Sequence, residues 1–291
     1  MNTELAIQND LGMSLAEAVG VTPQSGERKT AALPRVNLMH TGIMGNIDVN
    51  GKSIKTEVVP SGSFKITRGE DDVVYATSPS IRIFAIRQQF SKWDSKEEVM
   101  NKTVMSNDLK GDLKDNLGTF NLGRPSGYIK DFQALPKDQQ DLIRSVNRVK
   151  VMMGMVKVVD PFYEGGGTPS NVDEEFAFVM DVKNRDSLKF IDGTVGKLIK
   201  KKISPAEHRI TLLGETRTLP NGNPYMVTNA SLGEFVGLSE GDNEILQNFL
   251  DYVESSNEYV TTKWAEGNVE TISQQDQDIV TNIVDVEDFD Q

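Results

Sequence analysis

Apolar and polar positions alternate along much of this chain with the two-residue period of half-buried strands. Ile43, Ile47 and Val49 precede Asn50-Gly51, and Ile54, Thr56 and Val58 follow, with Lys52, Lys55 and Glu57 interleaved. Asn-Gly accepts positive φ at both central turn positions, so these runs predict a hairpin. Pro60-Ser61-Gly62 breaks it, and Phe64-Lys65-Ile66 resumes the pattern. The clearest strand runs from Ser80 to Phe90. Strict alternation there puts Arg82, Phe84 and Ile86 on one face and Ile81, Ile83, Ala85 and Arg87 on the other. Further strands are predicted at Val73–Tyr75, Arg148–Val159 and Phe176–Val182, with a second hairpin from Arg209–Leu219 and Tyr225–Asn229.

The helical period of 3.6 takes over in fewer places. Pro136 to Val146 reads as a short helix. Asp186 suits an N-cap, after which Leu188, Ile191, Val195, Leu198 and Ile199 share one helical face. Lys200-Lys201-Lys202 then favour a C-terminal dipole. Ser239 to Trp264 forms one amphipathic helix with Ile245, Leu246, Phe249, Leu250 and Val253 as its stripe. The stretch from Lys92 to Lys130 is polar, contains glycine and has little periodicity, which marks a functional or mobile connection. Residues 1–32 hold a short helical signal at Met13–Val19 and then a Gly/Pro/Ser stretch, a flexible arm.

These elements predict a β-rich α+β fold. Five or more strands, hairpins and long loops suit an OB-fold-like antiparallel barrel with inserted loops and helices; sandwiches and other antiparallel sheets fit nearly as well. The expected organisation is an N-terminal arm (1–32), an OB-like domain (33–238), a C-terminal helix (239–265) and a disordered acidic tail (266–291).

Charge sharpens that division. The chain of 291 residues has a formal net charge of -12. From Glu266 onward there are eight acids (Glu266, Glu270, Asp276, Asp278, Asp285, Glu287, Asp288, Asp290) and no Lys or Arg. Residues 240–265 add -5 and residues 1–30 add -2, which leaves residues 31–239 at +3. The acidity is peripheral and the centre is mildly basic, as a nucleic-acid-binding body can be when its bases share a face. There is no cysteine, so a disulfide framework, cysteine-zinc sites and thiol catalysis are excluded. No secretory signal and no apolar run of membrane-spanning length are seen, so the expected setting is cytoplasmic.

Catalytic constellations are not apparent. His40 and His208 are far apart, no carboxylate cluster has ligand spacing, and no metal or other cofactor is expected. There is no nucleophile elbow. Gly165-Gly166-Gly167-Thr168 lacks the Walker lysine, and Pro169 breaks any following helix. Signals for nucleic acid accumulate instead. Bases and aromatics interleave between Arg82 and Tyr163. Cationic side chains track phosphates, and aromatic faces stack on unpaired bases. The candidate DNA-binding set is Arg82, Phe84, Arg87, Lys92, Trp93, Lys110, Lys114, Arg124, Tyr128 and Lys150. Each phenylalanine taken singly fits a core equally well; Trp93 and Tyr128 have the sequence surroundings of exposed rings.

An acidic C-terminus with a phenylalanine near its tip, after a β-rich body, resembles the phage and bacterial single-stranded DNA-binding proteins. The matching residues are Asp285, Glu287, Asp288 and Phe289; unlike the family pattern, Asp290-Gln291 follow the phenylalanine. The resemblance implies an oligonucleotide-binding barrel that coats unpaired DNA in phage replication or recombination with little sequence preference. It also implies a tail (Asp285, Glu287, Asp288, Phe289, Asp290) that recruits replication or recombination proteins and shields the DNA groove. No enzymatic step and no membrane partner are expected, and a homo-oligomer is compatible with this reading. The alternative is a phage structural or assembly protein without nucleic-acid affinity. A metal-dependent nuclease built on scattered carboxylates ranks third.

Overall fold

The computed structural model describes residues 33–50, 52–69, 72–96, 98–169 and 175–284; for residue 49 and residues 268–284 it describes the backbone alone. The strands are β1 (Arg35–Leu38), β2 (Ile43–Val49), β3 (Lys52–Val59), β4 (Phe64–Thr67), β5 (Val73–Ala76), β6 (Ser80–Asp94), β7 (Val99–Lys102), β8 (Asn147–Lys157), β9 (Phe176–Val182), β10 (His208–Thr218) and β11 (Pro224–Phe235). The α-helices are α1 (Lys137–Ser145), α2 (Arg185–Lys200) and α3 (Asp242–Val284).

Nine strands form one sheet in the order β11-β10-β6-β8-β9-β1-β4-β5, with β7 also paired to β6. All pairings in it are antiparallel except β1 with β9. The fold is therefore α+β and strand-rich, but β11 and β5 are the two ends of the order, and the sheet does not close. The closed barrel expected from the hairpins is not formed by the described residues. Closure depends on which distant strands pair, and here β1 inserts beside β9 and extends the sheet outward.

Both faces of the sheet are covered, which explains why β8 reads as nearly continuous apolar sequence. Val149, Val151 and Met153 pack with Phe249 and Val253 of α3 on one face. Met152 and Val156 pack on the other face with Ile191, Val195 and Leu198 of α2. A bulge lies between Ile83 and Ala85 where β6 meets β8. It shifts the phase of β6 by one residue, as a slip in a period-two pattern must. Ala85 therefore joins Phe84 in the α3-side cluster, and Ile86 joins Ile83 on the α2 side, contrary to strict alternation. Gly154 stands opposite, and a Cβ there would collide with the Arg82 carbonyl oxygen.

Other differences are local. The N-cap of α2 is Asn184, whose side chain accepts from Asp186 N and Ser187 N; Asp186 sits in the first turn. The hairpin predicted around Asn50 forms as a separate two-stranded sheet of β2 and β3. The helix expected over 239–265 runs on as backbone to Val284, so residues 266–284 of the expected tail are helical. Asp285 to Gln291, with Phe289, and the arm of residues 1–32 lie outside the described residues. No described helix is long and apolar enough to cross a membrane.

Candidate nucleic-acid interface

The ten candidate residues divide into those engaged along β6 and β8 and those at the far end of β6 and on the excursion after β7. At the start of β6, Arg82 is buried and fully engaged. Its Nε donates to the Ala206 carbonyl at 2.7 Å, and its Nη2 donates to Asp242 Oδ2 at 2.6 Å. Nη1 lies 3.6 Å from Glu175, and the guanidinium carbon sits 5.1 Å from the Phe84 ring centroid. Burial pushes the Asp242 carboxyl up, but the Arg82 hydrogen bond, the Ser239 amide and the Arg82 charge together hold it below the ordinary carboxylate range. Phe84 packs on Phe249 with centroids 6.2 Å apart. Arg82 thus ties β6 to the first turn of α3 and offers no donor to a ligand. Arg87 is half-buried and donates to the Ile86 carbonyl at 2.9 Å. Lys150 points to the α2 side and pairs with Asp192.

The far end of β6 is different. Lys92 and Trp93 lie on its last turn of pleat, Trp93 being 54% exposed and paired in register with Met100 of β7. Beyond β7 the chain makes the long excursion that has no periodicity in sequence, yet it is ordered by side chains. Asp115 is fully buried and accepts from Leu117 N at 3.0 Å, Thr119 N at 3.0 Å, Thr119 Oγ1 at 2.8 Å and Leu122 N at 2.7 Å. Asn121 accepts from Leu113 N at 3.0 Å and donates to Ser126 Oγ at 3.1 Å. These bonds hold Asn121 and Leu122 at φ 54° and 56°, a left-handed pair that is costly for leucine. Phe90, Leu113, Leu122 and Val146 form a small core beneath.

This scaffold carries Lys110, Lys114, Arg124 and Tyr128. A Cβ added at Gly127 would lie 4.0 Å from the Lys110 carbonyl oxygen, so their two loops are adjacent. Tyr128 follows at 90% exposure. Lys114 Nζ lies 4.4 Å from the ring centroid of Trp264, and Phe120 lies 5.4 Å from the same ring. Arg124 is only 8% exposed, with its guanidinium 5.1 Å from the Phe90 centroid. Burial, reinforced by the charge of Arg148, pulls its pKa below the ordinary arginine value. None of Lys92, Lys110, Lys114, Arg124 and Lys130 makes an ion pair among the described residues.

Trp264, Phe120 and Arg148 join this surface and were not among the candidates. Trp264 was legible: Phe249, Val253, Val260 and Trp264 continue one helical stripe at steps of four, seven and four. Among the described residues no group of His, Asp and Glu could hold a metal ion. No protein-family model, no curated protein and no solved structure matches the chain.

Proposed function

We propose that the chain binds unpaired DNA, coating it with little sequence preference during phage replication or recombination and holding partner proteins through Asp285, Glu287, Asp288, Phe289 and Asp290. One observation carries the reading: an aromatic ring, Tyr128, is exposed on a loop held by Asp112, Asn121 and Ser126, in the same excursion as Lys110, Lys114 and Lys130, which make no ion pair among the described residues. Stacking needs the exposed face, and phosphate tracking needs unpaired charge. Trp93, Lys92, Lys110, Lys114, Phe120 and Arg124 extend the same end of the molecule. Arg82, Phe84, Arg87 and Lys150 have structural roles in this reading. An open sheet with a built-up edge serves in place of an oligonucleotide-binding barrel, and no covalent step is required. A mobility shift with long oligo-dT at low salt tests it: a shift that fades with added salt is expected, and no shift at low salt would overturn it.

A second reading has its own observation. The β2–β3 hairpin stands apart from the main sheet and exposes Met44, Ile47 and Ile54. Exposed apolar side chains on a separate arm suit a phage structural or assembly protein. Incorporation into virions without affinity for DNA would favour it.

A further inference from the structure

A cleft of about 290 Å³ lies between the α3-side face of the sheet and α3 itself. It is lined by Arg35 of β1, Lys102 of β7, Asp181 of β9, Lys183, Ser91 of β6 and Tyr252 of α3. Three cations face one carboxylate, so the cleft carries a surplus of positive charge. Arg35 and Asp181 are 3.7 Å apart and largely answer each other. Lys102 is half-buried and makes no ion pair among the described residues. Ser91 is 2% exposed, and its Oγ is buried without a hydrogen-bond partner. A buried hydroxyl left unsatisfied beside an unanswered ammonium is costly unless something completes both.

We infer that this cleft is a binding site for a phosphomonoester of nucleotide size, with Lys102 and Ser91 at its base and Arg35 and Lys183 at its mouth. A phosphomonoester carries nearly two negative charges at neutral pH, which matches the surplus. The volume is at the small end for ligand sites and suits one nucleotide rather than a strand. The roof is fixed in advance. Asn257 of α3 accepts from Met105 N at 2.6 Å and donates to the Met105 carbonyl at 2.9 Å, clamping α3 over the cleft. Burial first, and then the Arg35 charge, pull the Lys102 pKa down, with Asp181 opposing. A bound anion offsets both by favouring the charged ammonium. The inference does not rest on strand coating, and the phosphate has two sources, a free nucleotide or the 5′ end of a DNA strand.

Titration of the full-length protein with dTMP and with thymidine, followed by calorimetry, tests it. The expected result is binding of dTMP and none of thymidine, with Lys102→Gln weakening dTMP by about tenfold or more, as loss of a charge-assisted hydrogen bond does. Ser91→Ala should weaken it less, and it keeps the test open if Lys102→Gln folds poorly. Competition of dTMP by a 5′-phosphorylated oligo-dT, but not by its 5′-hydroxyl form, assigns the source to strand ends; no competition by either assigns it to the free nucleotide. Lys102→Gln should leave the affinity for 5′-hydroxyl oligo-dT unchanged, which separates this site from the coating surface. Equal binding of dTMP and thymidine, no binding of dTMP, or full dTMP affinity in both variants would overturn the inference.

Discussion

The two ends of β6 carry the same local pair, an arginine over a phenylalanine, in opposite electrostatic settings. Arg82 over Phe84 is answered by Asp242, Glu175 and two carbonyl groups. Arg124 over Phe90 has like charge from Arg148 near it and a buried Nε without a partner. Both arginines are 8% exposed as whole residues. Burial alone therefore does not separate a structural cation from one available to a ligand; the presence of a matching carboxylate does. The first arginine joins β6 to α3, and the second marks the end where charge is left over.

Variants at the two arginines should break apart accordingly. The largest effect is expected at the answered end. Arg82→Ala leaves Asp242 buried and unpaired and should lower the unfolding free energy by about 3–5 kcal/mol in urea titrations. A change below about 1 kcal/mol would show that the pair does not hold α3 to the sheet.

The acid limb of the stability curve should single out the same end. Asp242 has a folded pKa held below its unfolded value of about 3.9. Its contribution is present above that unfolded value and is lost as pH falls through the folded pKa. Asp242→Asn should start less stable at neutral pH and show a shallower loss between about pH 5 and pH 2. Identical slopes in the two proteins would remove Asp242 from the account.

At the unanswered end the effects should move to the ligand. Arg124→Met should change stability by less than about 1 kcal/mol, because it removes a charge that has no carboxylate partner among the described residues to leave stranded. The same variant should weaken oligo-dT binding by about tenfold, read by fluorescence anisotropy. Tyr128→Ala should cost about 1–3 kcal/mol of affinity, the worth of one stacked base, with no change in the melting temperature. The smallest effect is expected from deleting Asp285 to Gln291. DNA affinity should stay equal or rise slightly as an internal anionic competitor goes, and a sharp fall would contradict the shielding role.

Much of the scaffold was legible in the chain. Asn50-Gly51 marked its hairpin, the run from Arg148 to Val159 marked the strand β8, and the Leu188–Ile199 stripe marked α2. Elsewhere, local pattern was overruled by distant partners. The bulge at Phe84 changes which side chains of β6 share a face, and it is set by Gly154 across the ladder, some seventy residues away. Strand order is equally remote from local pattern, so hairpins that suit a barrel built an open sheet instead. The excursion after β7 looked structureless because its order comes from Asp115 and Asn121 bonding to backbone amides, which leaves no hydrophobic period to read. At the site, Tyr128 and Trp93 stood out by their polar surroundings and are exposed. Arg82 and Lys150 had the same signal, but Asp242 and Asp192 answer them only once the chain has folded.

The central claim is that unanswered charge at the far end of β6 meets phosphates. The direct measurement is the affinity of the intact protein and of Arg124→Met for labelled oligo-dT across a salt series. Binding should weaken as salt rises, with a log–log slope of about -0.7 for each phosphate neutralised, and the variant should lose about one such unit. No binding at low salt, or the same slope in both proteins, would contradict the account.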